Sequence, residues 1–447
     1  MEMDFKKLLG SLEAKSYLAL RKELADMNAV NIALFVGSLP RERAIIVFRT
    51  LPKGLAAEAF SNLAAETQQY IIESITDVEI GIIIEDLYID DAVDMLEELP
   101  AGIVKRVLKN TTSETRALIN QFLQYPEDSA GSIMTAEFTD LEKSMSVGDA
   151  IAHIRRTGED SETVYTCYVI DDNRLLEGVV TVKDLLLAGD DTLIEALMRT
   201  DIVFARTSDD REQVARLFST YDFLSIPVVD QENRLVGIVT VDDAVDVIEQ
   251  ETTEDFEKMA AMLPSERPYL KTGILTLAKN RIIWLLVLMV SDMLIGSILG
   301  RYQSAFTAIP LLVTFIPMLT DTGGNAGAQT TTLIIRGMAL SEIRTKNIFT
   351  VLWKEIRVGL LVGLGLAIVN YVRLVMIYPD RRMIALTVAL SLFAIVVIAK
   401  TIGSVLPILA TLLKLDPAVT AAPIITTVVD AFGIVIYFSL AVKLLKL

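Results

Sequence analysis

Along the first 125 residues, apolar positions recur every three or four residues, as in AVNIALFVGSL, RERAIIVFRTL and VEIGIIIEDL. That spacing predicts helix throughout. Leu-Pro pairs at Leu39-Pro40, Leu51-Pro52 and Leu99-Pro100 follow such runs. Proline cannot continue a helix but is tolerated in the first turn of the next, so each pair marks a short connection between stacked helical hairpins. Between 130 and 250 the pattern repeats itself. An amphipathic helix at 147–156, then VYTCYVID and RLLEGVVTVKDLL, is echoed by a helix at 210–219, then FLSIPVVD and RLVGIVTVDDAVDVI. Strand signals bounded by Asp-Asn and Asn-Arg turns alternate with helices, which predicts two βαββα units. Residues 251–280 read as a polar helix punctuated by Pro264 and Pro268. From 282 the apolar runs reach membrane length, near 282–300, 305–335, 357–377, 384–413 and 418–442.

The expected organisation is therefore multidomain: an all-α superhelical N-terminal domain over 1–128, two α/β units over 129–192 and 193–250, a connecting, plug-like helix over 251–280, and an all-α five-span transmembrane domain over 281–447. Lys and Arg at nine positions (271, 279, 281, 336, 344, 346, 354, 357 and 414) fall on the side of the N-terminal half. Five fall opposite, at 301, 381, 382, 443 and 446. The bias places the N-terminal half in the cytoplasm of a cell-membrane protein. The start, MEMDFKKLLG, has no apolar stretch of signal-peptide length, which agrees.

Charge divides at the same boundary. The first 270 residues carry 25 basic and 51 acidic side chains, and the remainder 16 and 7. So acidic a segment repels nucleic acid and attracts divalent cations. Cysteine and histidine occur once each, as Cys167 and His153, so no soft-metal cluster is available and the oxygen ligands favour hard cations. No phosphate-cradling loop or hydrolase ligand set is present, and the chain reads as a non-enzyme.

In the last apolar run, Asp416 fits an N-cap with Pro417 at the first helical position. Asp430 then lies fourteen residues on, about 21 Å along the axis, at mid-membrane. A lone carboxylate there costs about 2.5–3.5 kcal/mol and needs compensation. Two partners are available. One is a hydrated cation, with Pro423, Thr426 and Thr427 supplying further oxygens to the path. The other is Lys400 in the fourth run, which Asp292 of the first could also take.

The βαββα repeat resembles a tandem pair of CBS domains, carried most specifically by the VVTVKDL and IVTVDDA turns. The second run contains PMLTDTGGNAGAQ, with Gly323, Gly324, Asn325, Gly327 and Gln329. With the Pro, Thr and Asp set of the fifth run, this string resembles the MgtE magnesium channel family, and the similarity covers the chain in order. The resemblance implies a homodimer with its pore on the two-fold axis, lined by the second and fifth spans, with Asp430, Pro423, Thr426, Thr427, Gly324, Asn325 and Gln329 along the path. It implies a Mg2+-selective channel that intracellular Mg2+ closes. The regulatory ligands carried over are Glu58 and Asp90 in the helical domain and Asp210, Glu212, Asp222, Asp243 and Asp246 in the CBS pair. Glu251, Glu254 and Asp255 follow on the connecting helix, and Asp416 at the foot of the fifth span. Some CBS pairs also bind an adenine nucleotide in their cleft. The chain departs from the family pattern at Ala422, Lys400 and Asp321. Two other readings use the same architecture: a CBS-regulated carrier of Co2+, Mn2+ or a gradient-coupled solute, and a nucleotide-responsive sensor without transport.

Overall fold

The computed structural model describes residues 2–265, 269–270 and 272–446, the side chains of residues 2–4, 294, 306 and 422 excepted. The chain divides into two compact units, Met1–Ile248 and Glu249–Leu447.

The first unit opens with ten helices of nine to twelve residues, from Glu2–Glu13 to Ser113–Phe122. Each buries one apolar stripe, for example Ile80, Ile83 and Ile84 on Asp77–Asp86. Pro40, Pro52 and Pro100 each stand immediately before a helix in an extended conformation, one residue earlier than the first-turn position the Leu-Pro pattern predicts. The Pro40 carbonyl still accepts from the amides of Arg43 and Ala44, so the proline starts the helix without breaking a ladder.

The two βαββα units are present. Strands Phe138–Leu141, Thr163–Ile170 and Leu176–Thr181 form one sheet, and Ala205–Arg206, Ser225–Val229 and Leu235–Thr240 the other. In each, the first two strands run parallel and the last two antiparallel. Tyr168, fully buried, joins the sheets through a 2.7 Å hydrogen bond to Ser225. The core of the helical domain runs without a break into the second CBS copy through Met134, Val214, Phe218 and Ala244.

Residues 241–259 form one helix, so the last CBS helix and the start of the connecting segment are continuous, where the pattern predicts a boundary at 250. Ala261, with φ of 52°, ends the run, and the described residues between 262 and 273, Pro264 among them, are not helical. Pro268 and Lys271 lie outside the described residues.

In the second unit, the helices Ile274–Gly300, Ile316–Ala339, Ile348–Ile377, Arg382–Leu412 and Ala422–Leu445 correspond to the five apolar runs. Among the described residues, four helical stretches are long and apolar enough to cross a membrane. Ile316–Ala339 is about 36 Å long but carries too many polar residues to count by composition. The run at 305–335 is also interrupted: a short helix Gln303–Ala308 and a 3-10 turn Pro310–Phe315 precede Ile316. The second, fourth and fifth spans form the core, around Leu319, Ile395, Ile425 and Phe438. Among the described residues of the first span, none is buried.

The foot of the fifth span differs from its expected form. Asp416 does cap, accepting from the Ala418 amide at 2.8 Å, but it caps a 3-10 turn, Pro417–Thr420. Extended Ala421 breaks the chain, and the span helix starts at Ala422 with Pro423 in its first turn. Asp430 is thus eight residues, about 12 Å, into its helix, and the 21 Å measured from Asp416 along one axis does not apply.

Candidate functional site

Glycines build the seams of the second span with the fourth and fifth spans. A Cβ on Gly323 would meet Ile395 Cγ2 at 2.6 Å. On Gly324 it would meet Thr426 Cγ2 at 2.8 Å, and on Gly327 Ile425 Cγ2 at 2.6 Å. All three are buried, so Gly324 lies in the packing seam and seats the Thr426 side chain. The opposite face of this helix is polar and open: Asp321, Asn325 and Gln329, four residues apart, are exposed.

Asp430 is half-buried on the fifth span, and among the described residues it has no ion-pair partner within 4.0 Å. Two other acids of the bundle, Asp292 and Asp321, act on it electrostatically. Thr426 and Thr427 both donate to the Pro423 carbonyl, at 2.9 and 3.0 Å, which gathers oxygen atoms in the first turn of the helix. Lys400, only 5% exposed, turns elsewhere: its ammonium donates to Thr330 Oγ1 at 3.2 Å, and Thr330 donates to Glu355 at 2.9 Å. Neither Asp430 nor Asp292 pairs with it, and the ion-pair alternative for Asp430 falls away. Arg373, which the charge pattern leaves unassigned, donates to Asn370 at 2.9 Å.

At the foot of the second unit, Lys258 bridges two of the acids assigned by resemblance, 2.6 Å from Glu254 and 2.7 Å from Asp416. Glu251 and Asp255 stand half-buried on the same helix.

The first unit holds a second acidic cluster. The sequence Asp-Asp-Ala-Val-Asp occurs twice, at 90–94 and 242–246, each time in the opening turns of a helix. Either pair of acids alone is favoured there, because a helix N-terminus stabilises negative charge. Together they crowd. Burial pushes Asp90 well above the usual carboxylate range, and Asp243, Asp91 and Glu162 add to the shift. Burial, then Asp242 and Asp243, raises Glu162 to about 8. Asp91 and Asp243 rise to about 6, burial again leading. The protein crowded around Asp94 pushes it to about 7, although one side of the residue stays open to solvent.

The first CBS copy supplies an internal control. Thr181 and Asp184 form the same strand-to-helix cap as Thr240 and Asp243, with hydroxyl-to-carboxylate distances of 2.7 and 2.5 Å. Asp184 is shifted down, by its Thr181 hydrogen bond first, with Arg199 and Lys183 nearby. Asp243 is shifted up. One local motif gives opposite outcomes because Asp243 is buried, with Asp242 and Asp91 adding to the effect, whereas Asp184 keeps its Thr181 hydrogen bond near two cations. Glu162 Oε2 is moreover buried with no hydrogen-bond partner among the described residues. An orphaned carboxylate oxygen among raised acids fits a hard cation. Among the described residues no three such side chains converge closely enough to chelate an ion directly.

The remaining assigned residues are placed individually. Glu58 is exposed on Lys53–Ser61. Asp210 caps helix Arg211–Tyr221, accepting from the Gln213 amide at 3.1 Å, and Glu212 pairs with Arg216 one turn on. Asp222 ends that helix in the left-handed region, and Asp246 is exposed. Asp91, Asp94, Glu137, Glu162 and Asp242 were missed. The duplicated pentapeptide could have found three of them. Glu137 and Glu162 had no sequence signal, since folding alone brings to the cluster both Glu162 and Glu137, which accepts from the Ile89 amide at 3.5 Å and acts on Asp91.

Residues 316–440 match the family model described as a divalent cation transporter. Residues 27–128 match the MgtE intracellular N domain, and 130–191 and 194–250 match CBS domains. The chain is 37% identical to the magnesium transporter MgtE of Thermus thermophilus over 444 residues, 98% of each chain. It is 29% identical to that of Bacillus subtilis, over 94% of this chain and 93% of the relative. Two solved structures resemble it. The soluble part of a magnesium transporter has 30% identity and a TM-score of 0.54, over 56% of this chain and 99% of that one. The cytosolic domain of the Mg2+ channel MgtE in complex with ATP has 36% identity and a TM-score of 0.52, over 54% and 99%. With its helical N domain, CBS pair and apolar C-terminal helices in that order, the chain belongs to the MgtE family of magnesium transporters.

Proposed function

We propose that this chain forms a homodimeric Mg2+ channel, lined by the second and fifth spans and closed by intracellular Mg2+ bound to its acidic cytoplasmic half. The observation that carries the reading is the exposed stripe Asp321, Asn325 and Gln329 on a helix whose other face packs in the bundle, beside an Asp430 with no ion-pair partner within 4.0 Å among the described residues. Lipid cannot satisfy such a stripe, so it faces water or a second copy. A pore on the axis between two copies supplies both. Magnesium releases water reluctantly, and a ring of carboxylate, amide and hydroxyl oxygens around a hydrated ion suits it better than a dry cage.

Closure follows from the acidic cluster. Without divalent cations the raised carboxylates of the first unit repel one another. Cations held among them remove the repulsion and stabilise the compact state. Shifting a gate from 1:99 to 99:1 takes about 5.5 kcal/mol of differential binding. A site present only in the closed state, at tenfold its dissociation constant, supplies about 1.4 kcal/mol, so about four weak sites suffice. The relative solved with ATP supports an adenine nucleotide in the CBS cleft of this chain as a further effector.

The test is cation flux into liposomes containing the purified protein, with proton and sodium gradients collapsed. Mg2+ entry that persists without those gradients and declines with Mg2+ on the cytoplasmic face supports the channel. Entry that requires a gradient supports a coupled carrier, and a preference for Co2+ or Mn2+ reassigns the ion.

A further inference from the structure

Lys400 puts a positive charge inside a bundle that passes cations. Its side chain is 5% exposed, and among the described residues no carboxylate lies within 4.0 Å of it. Such a charge within a membrane needs compensation. The compensation is indirect. The ammonium donates to Thr330 Oγ1 at 3.2 Å, and the same hydroxyl donates its own proton to Glu355 Oε2 at 2.9 Å. Three spans thereby meet in one chain of hydrogen bonds: the fourth with Lys400, the second with Thr330 and the third with Glu355.

The surroundings are shaped to hold this chain. A Cβ on Gly359, one turn beyond Glu355, would lie 3.2 Å from Val397 Cα and 3.7 Å from both Cβ and Cδ of Lys400, so the lysine stem runs along a glycine groove. A Cβ on Gly403 would meet the Gly327 carbonyl at 2.6 Å, and Thr331 donates to the Gly403 carbonyl at 3.1 Å. The second and fourth spans therefore touch backbone to backbone beside the pair. Thr330 is buried, whereas its neighbour Gln329 belongs to the exposed polar stripe. Lys400 thus stands one residue behind the surface assigned to the ion path.

We infer that Glu355, acting through Thr330, screens the Lys400 charge from the permeating cation, making Glu355 and Lys400 a matched pair that sets the electrostatic potential along the Gln329 end of the path. This rests on the second span lining that path. Loss of Glu355 alone exposes a positive charge, and loss of Lys400 alone exposes a negative one. The two single changes therefore act with opposite sign on cation flux, and together they cancel. A purely structural clamp gives no such asymmetry.

The experiment measures Mg2+ uptake by full-length protein in liposomes, at low and high ionic strength, for wild type, Glu355→Gln, Lys400→Met and the double variant. Glu355→Gln is expected to lose flux on the order of tenfold at low salt, the scale of one unit charge acting across roughly 10 Å at an effective dielectric near 20, and to recover partly in high salt. Lys400→Met is expected to match or exceed wild type, and the double variant to return close to it. Flux lost equally in both single variants, or unchanged in Glu355→Gln, overturns the inference. If Glu355→Gln does not fold, Lys400→Met decides, because any loss of its flux contradicts the screening role. Absence of flux in the wild type rejects the channel itself, which separates the two failures.

Discussion

Lys258 Nζ lies 2.7 Å from Asp416 Oδ2, which ties the end of the long CBS helix to the foot of the fifth span by one ammonium. The same nitrogen is 2.6 Å from Glu254. Burial alone would lower the Lys258 pKa, but the hydrogen bonds to Asp416 and Glu254 raise it further than burial depresses it, so the cation is firmly charged. Lysine here stands between two of the acids that the resemblance assigns to a regulatory cation.

Lys258→Met should therefore remove a tether that needs no metal while freeing both acids for a cation. The expected result is several-fold higher Mg2+ flux at low internal Mg2+ and a steeper decline as internal Mg2+ rises. Flux against internal Mg2+ in liposomes measures both.

The clustered acids of the first unit give a pH dependence with a defined sign. Asp91 and Asp243 rise to about 6, Asp94 to about 7 and Glu162 to about 8, all above the ordinary carboxylate value near 4. The compact form holds more protons than the unfolded chain between about pH 4 and 8, so its stability falls as pH rises through that window. Without Mg2+, the first unit should resist protease better at pH 5.5 than at pH 8. Mg2+ should flatten the difference by replacing the protons. Changing Asp90 and Asp243 together to Asn should abolish Mg2+ protection, and limited proteolysis of the full chain reads each result.

The glycine seam predicts a packing defect. Gly327→Ala places a methyl 2.6 Å from Ile425 Cγ2, so the fifth span must shift or the side chain must turn. Overpacking of this kind costs about 1–3 kcal/mol. Thermal unfolding in detergent should show a lowered midpoint, whereas Gly365→Ala, which meets nothing within 4 Å, should not.

Water and lipid can be told apart on equally exposed surfaces. The single native cysteine, Cys167, is buried and gives a low background. Asn325→Cys, on the polar stripe, should react with a charged thiol reagent. Val369→Cys, on the third span at a position now 69% exposed, should not, because that face is apolar and meets lipid. Equal labelling would remove the wet path.

Much of this was legible from residue pattern. Helices with a three-four spacing, the strand-to-helix Thr-Val-x-Asp turns and the apolar runs are local signals, and each produced its element. The breaks were less visible. Extended Ala421 splits the foot of the fifth span although Asp416, Pro417 and Pro423 all fit helix starts, because two proline starts in succession leave the second to begin a new helix. The Lys400 partner was also hidden. Asp292, Asp321 and Asp430 are the acids inside apolar runs, whereas Glu355 sits beside Lys354 and Arg357 and reads as an end-of-span charge. Only the approach of three helices brings it to Thr330. The acidic cluster was half legible, since composition gave its sign and the fold gave its members.

Mg2+ uptake by purified Asp430→Asn protein, set against wild type at equal reconstituted amounts, bears most directly on whether a hydrated cation passes this carboxylate. The predicted result is loss of nearly all uptake with the folded protein intact. Uptake at the wild-type rate would contradict it.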